Sequence, residues 1–105
     1  MSNVTNLIIT SSTLEDEYQI IQAIKGFTKE FNIVSVNDDK LPISWYGGTK
    51  NLECVILIGA YDYLDLERFI LFLQNSVKWE AIDLVQMFVK QQEDMKFKLI
   101  NLVPE

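Results

Sequence analysis

The chain has 105 residues, 49% of them hydrophobic, enough for one packed domain and too apolar for a disordered one. Fifteen acidic residues against nine basic ones leave a net charge of −6, which argues against duplex nucleic acid, held by neutralising its phosphates, and against an anionic membrane surface. No apolar run approaches the roughly 20 residues that cross a bilayer.

The amino terminus lacks the basic and apolar blocks of a secretory signal, so a cytoplasmic chain is expected. Residues 4–9 read as a first strand centred on Leu7, Ile8 and Ile9. Ser12 with Glu15, or Thr13 with Asp16, fits a capping box, in which the hydroxyl accepts from a free N–H of the helix start. Glu15, Asp16 and Glu17 then lie where the helix dipole favours negative charge. The helix is predicted to run to about Phe31, burying Ile20, Ile24, Phe27 and Phe31, with Tyr18 and Ile21 beside them. Asn32 is placed to end it in a left-handed conformation.

Residues 33–36 read as a short second strand, followed by a turn over 37–40. Two readings stand for 41–53. Residues 43–46 form either a short edge strand, turned by Gly47-Gly48 into the next one, or a loop carrying Trp45 and Tyr46 exposed. Pro42 excludes a central strand there. Residues 54–58 are apolar without a break, as in a strand buried on both faces. Cys54, the single cysteine, can form no disulfide within the chain and is expected to pack as a small apolar residue. Gly59 interrupts the strand, and Asp62 is expected to open a helix with Asp65 as the acidic partner of its cap. Leu66, Phe69, Ile70, Leu73 and Val77 make one face of that helix, widened by Leu71 and Phe72.

From Trp79 onward the pattern is mixed. Ala81, Leu84, Val85 and Phe88 fall at helical spacing, yet Val85, Met87 and Val89 alternate with Gln86, Phe88 and Lys90. Residues 95–99 alternate as well, and 91–94 are turn-like. A β-hairpin over 82–90 and 95–102 is favoured over a helix followed by a strand. The predicted order is β-α-β-β-α-β with an extra C-terminal strand. That is an α+β fold, a ferredoxin-like split β-α-β sandwich filling one domain over 1–105, with two helices on one face of an antiparallel sheet. The architecture hosts many functions and licenses none by itself.

Three groups of residues are candidates for a site. If the first and third strands are parallel neighbours, Ser11, Ser12 and Thr13 lie beside Tyr61, Asp62 and Tyr63. Hydroxyls and two helix starts there would suit a small polar ligand, and Asp62 with Asp65 a divalent cation. Helix capping alone accounts for the same residues and is the commoner reason for them. Trp45 and Tyr46, with Trp79, suit a partner's hot spot or a cover folded back over the sheet. Glu15, Asp16, Glu17, Asp38, Asp39, Asp62, Asp65 and Glu67 suit a basic protein, although the helix dipole already explains several of them.

The chain has no histidine, so the commonest general base and zinc ligand are missing, and no glycine-rich phosphate loop is present. No enzyme activity, metal or cofactor is expected. The leading expectation is a non-enzymatic module that binds a basic protein through Trp45, Tyr46, Asp38, Asp39, Asp62 and Asp65. Bacterial immunity and antitoxin-type inhibitors are one class of this size and charge. The alternative is a small-ligand-sensing or regulatory domain with Ser11, Ser12, Thr13 and Asp62 at its site, dimeric through a sheet edge.

Overall fold

A computed structural model describes residues 4–12, 14–27, 33–35 and 55–103. The elements are β1 (Val4–Ser11), α1 (Glu17–Lys25), β2 (Ile33–Ser35), β3 (Val55–Asp62), α2 (Leu66–Asn75), a 3-10 turn (Ile82–Leu84), β4 (Gln86–Gln91) and β5 (Lys98–Asn101). Among the described residues, five strands form one sheet in the order β2-β3-β1-β4-β5, and every neighbouring pair is antiparallel. The fold is α+β.

Alternation along the strands divides the sheet into two faces. Leu7 and Ile9 of β1, Leu57 of β3, Met87 and Val89 of β4 and Ile33 of β2 are buried in one core with Ile20 and Ile24 of α1 and Phe69 and Leu73 of α2. The register sets Ile9 between Leu57 and Met87, and Leu7 between Gly59 and Val89, so the inward row continues across the three central strands. Phe27, just past α1, meets Phe69 and Phe72 of α2 edge-on, with ring centroids 5.2 and 5.3 Å apart. Each of these buried apolar side chains contributes about 1.5–3 kcal/mol before conformational entropy is set against it.

Several expectations are corrected. β3 runs through Gly59 to Asp62, because Gly59 keeps its place in the ladder opposite both Leu7 and Ile33. Nor is β3 buried on both faces. Val55 and Leu57 face the core, while Ile58 is 38% exposed on the other side. Both helices start later than their first possible caps. Asp16 caps α1, accepting from the Gln19 N–H at 3.2 Å, and Asp65 caps α2, accepting from the Arg68 N–H at 3.2 Å. Asp62 is instead the last residue of β3, and Tyr63 turns the chain with a φ of 58°. α1 closes at Gly26, whose N–H donates to the Ala23 carbonyl, while the next N–H, of Phe27, donates to the Ile24 carbonyl. Tyr18 and Leu71 are exposed rather than part of the apolar faces.

At the C-terminal end the hairpin is present, as β4 and β5. It is shorter than expected because Ile82–Leu84 forms a 3-10 turn before the strand begins. The expected strand at 43–46, the Gly47-Gly48 turn, Cys54, Phe31 and Asn32 lie outside the described residues. Among the described residues no helix is long and apolar enough to cross a membrane.

Candidate functional site

β1 ends at Ser11, where β3 and β4 begin: Ser11 pairs with Val55 and Thr10 with Gln86. Two connections meet beyond this end of the sheet, the one entering α1 and the one leaving α2. Glu15 joins them. Its carboxylate is buried, and one oxygen accepts from the Glu80 N–H at 2.8 Å while the other accepts from the Ala81 N–H at 2.9 Å. Trp79 precedes Glu80 in the same connection. Its indole N–H donates to the Leu73 carbonyl at 2.8 Å, satisfying an acceptor at the end of α2, and its ring packs against the core. Trp79 therefore has a structural role here.

Between the two connections lies a cavity of about 270 Å³, lined in part by Glu15, Asp16, Gln19, Lys78 and Glu80. Charge is unevenly divided between the two ends of the sheet. Among the described residues, Glu15, Asp16, Glu17, Glu80 and Asp83 gather at this end with Lys78 as the cation. At the opposite end Asp62, Asp65, Glu67, Glu93 and Asp94 are matched by Lys25, Arg68, Lys90, Lys96 and Lys98. The imbalance arises because the first turn of α1 and the turns before β4 draw acidic residues to the same place.

The ligand rim read from the sequence is not assembled. It needed β1 and β3 to run parallel, but they are antiparallel, with Ser11 opposite Val55 and Asp62 opposite Val4. Ser11 and Asp62 thus stand at opposite ends of the sheet, about 23 Å apart at roughly 3.3 Å per strand residue. Ser12 accepts from the Leu14 N–H at 3.3 Å, a local turn contact, and Asp65 is the cap of α2. Thr13, Asp38, Asp39, Trp45 and Tyr46 lie outside the described residues. Among the described residues no group of three or more His, Cys, Asp or Glu side chains is arranged to hold a metal ion.

Sequence reading missed a second surface. On the face away from the helices, Val34, Ile58, Ile8, Phe88 and Leu99 stand in one row across all five strands. The register fixes this: Val34 pairs with Ile58, Ile58 with Ile8, Ile8 with Phe88, and Phe88 with Leu99. Val34 is 39%, Ile58 38% and Leu99 51% exposed. A shallow groove of about 390 Å³ runs over Ile8, Val34, Ile58 and Phe97. The signal lay in the unbroken apolar run of β3, taken for a strand covered on both sides.

The chain matches no protein-family model, no curated protein and no solved structure.

Proposed function

We propose that the chain is a non-enzymatic protein-interaction module that takes a basic protein partner at the Ser11 end of its sheet. One observation carries the reading: Asp16 and Glu80 line a small cavity there, Glu17 and Asp83 lie at the same end of the sheet, and Lys78 is the cation among the described residues. A surface of one sign attracts a partner of the other sign and speeds encounter in a salt-dependent way. The absence of histidine from the sequence supports a role without acid–base or nucleophilic chemistry. Inhibition of a basic toxin or nuclease, in the manner of immunity and antitoxin-type proteins, is the concrete form this role takes.

The finer fold assignment is part of the same proposal. A ferredoxin-like split β-α-β sandwich, extended by β5 at one edge, agrees with the placing of β3 between β1 and β2. A single cysteine that can form no internal disulfide supports a reducing, cytoplasmic setting.

The test is affinity capture on the immobilised full chain at low and at high salt. The bound protein is identified by mass spectrometry, and the experiment is repeated with charge reversals. A basic protein retained at low salt, released at high salt and lost with Glu80→Lys/Asp83→Lys is the expected result. The control pair Glu67→Lys/Glu93→Lys, at the other end, retains it. Retention that ignores salt, or that is lost equally with both pairs, overturns the acidic-end reading.

A further inference from the structure

The sheet face opposite the helices has a chemistry unlike the rest of the molecule. Its central row is apolar on every strand: Val34, Ile58, Ile8, Phe88 and Leu99. Ile56 and Ala60 of β3 lie on the same side by alternation, one step on either side of that row. Among the described strand residues, the charged groups on this face are Lys90, beside Asn6, and Asp62, at the far end of β3, one of each sign. In a chain of net charge −6 the described part of this face carries balanced charge, apolar along its central row and flanked by the uncharged polar Asn6, Thr10, Gln86 and Asn101. Monomeric soluble proteins rarely leave contiguous apolar patches of more than a few hundred Å² in water.

We infer that this face is the interface of a symmetric homodimer, two copies packing sheet against sheet with their helices outward. Charge selects the occupant. A strongly basic or acidic partner finds no complementary charge here, whereas a second copy brings an equally neutral surface and buries no excess of like charge. The area is sufficient. Five strands at about 4.8 Å spacing and about 20 Å of strand length give roughly 480 Å² of footprint per copy. Two copies therefore bury about 1,000 Å², the lower bound for a specific interface. Facing sheets pack about 10 Å apart, which leaves room for one interdigitated layer of Ile, Val, Phe and Leu from each copy. This surface is distinct from the acidic end, so the inference does not depend on the partner proposed there.

The test is sedimentation of the full chain from micromolar to millimolar concentration, at low and high salt. The expected result is a species of twice the 12.2 kDa chain mass that persists or strengthens as salt rises, because burial of apolar area and not ion pairing holds it. Ile58→Glu and, separately, Leu99→Glu weaken association by about 100-fold or more, since each substitution acts twice across the symmetry axis. Both side chains point away from the core, and circular dichroism verifies that the variants remain folded. Leu71→Glu is the control: Leu71 is an equally exposed apolar residue on α2, on the other side of the sheet, and its replacement leaves association unchanged. A chain that stays monomeric throughout overturns the inference and gives the face to another protein or to other residues of this chain. A dimer that ignores Ile58→Glu and Leu99→Glu, or is weakened as much by Leu71→Glu, overturns it too. Loss of salt-sensitive capture at the acidic end leaves this result untouched, so the two proposals fail separately.

Discussion

Glu15 is a buried carboxylate held by two backbone N–H groups of a connection 65 residues further along the chain, at 2.8 and 2.9 Å. Replacing it with alanine removes two charge-assisted hydrogen bonds and leaves the Glu80 and Ala81 N–H groups without that acceptor. Hydrogen bonds to charged groups contribute about 1.5–3 kcal/mol each. The cavity beside Glu15 is open enough to let water reach part of the vacated space, which lowers the sum. A loss of about 2–4 kcal/mol is therefore expected for Glu15→Ala. That is a large share of the roughly 5–15 kcal/mol total of a small domain, yet leaves the chain folded. Equilibrium urea unfolding followed by circular dichroism measures it. With a slope near 1.5 kcal/mol per molar, the midpoint falls by about 2 M at unchanged slope. Glu15→Gln separates charge from shape. The amide keeps one carbonyl oxygen as acceptor but turns an NH₂ group toward the second backbone N–H, so it recovers at most about half of the loss. A change below about 0.5 kcal/mol in Glu15→Ala would refute the account and reduce Glu15 to an ordinary surface carboxylate.

Phe69 is fully buried and touches Phe27 edge-on, so Phe69→Ala should cost about 3–5 kcal/mol in urea unfolding, with a coupling of about 0.5–1.5 kcal/mol to Phe27→Ala in a double-mutant cycle. Asp16→Ala and Asp65→Ala each remove a helix cap and should cost about 1 kcal/mol, whereas the corresponding Asn variants, which keep the acceptor oxygen, should cost a few tenths. Asp62→Ala, expected from the sequence to be the cap of α2, should not share that helix-capping loss. Tyr63 has a left-handed backbone, so Tyr63→Gly should be more stable than Tyr63→Ala by about 1 kcal/mol in thermal or urea unfolding; equal stabilities would contradict the positive φ.

What the sequence displayed follows how local the governing physics is. The inward faces of both helices were legible because Ile20 with Ile24, and Phe69 with Leu73, repeat at the four-residue spacing of a buried helical stripe. The hairpin over β4 and β5 was legible because Met87 and Val89 alternate with Gln86 and Lys90. Cap positions were harder. Ser12, Thr13, Asp16, Asp62 and Asp65 all have the chemistry to cap, and only the path of the chain into the sheet decides which one does. Gly59 misled because glycine usually breaks a strand, whereas two flanking strands supply partners that hold it in the ladder. The relative direction of β1 and β3 is set by pairing between residues some fifty positions apart, and no local pattern reports it. Reversing that one direction separates Ser11 from Asp62 and dissolves the ligand rim. It also brings the Glu15 turn against Glu80 and Ala81, a contact no spacing rule would suggest.

Charge at the Ser11 end also bears on how two copies would lie against each other. Sheets that pack face to face keep their strands within about 30° of alignment, and the two-fold axis of a symmetric pair lies in the plane of contact. An axis along the strands puts both acidic ends on the same side. An axis across the strands puts them at opposite poles and sets the row from Val34 to Leu99 against itself, Ile8 facing Ile8 and Phe88 facing Phe88. The apolar contact is similar in both, so repulsion between the acidic ends decides, acting over the roughly 8–10 Å that salt leaves unscreened near physiological strength. The crosswise axis is expected. A spin label on Leu84→Cys in a Cys54→Ser chain, at the exposed turn before β4, tests it by pulsed paramagnetic resonance. Opposite poles give a pair distance of roughly 25 Å or more, the length of a strand of this sheet. A distance under about 20 Å would place the acidic ends together, and would mean that side-chain fit along the row outweighs their repulsion.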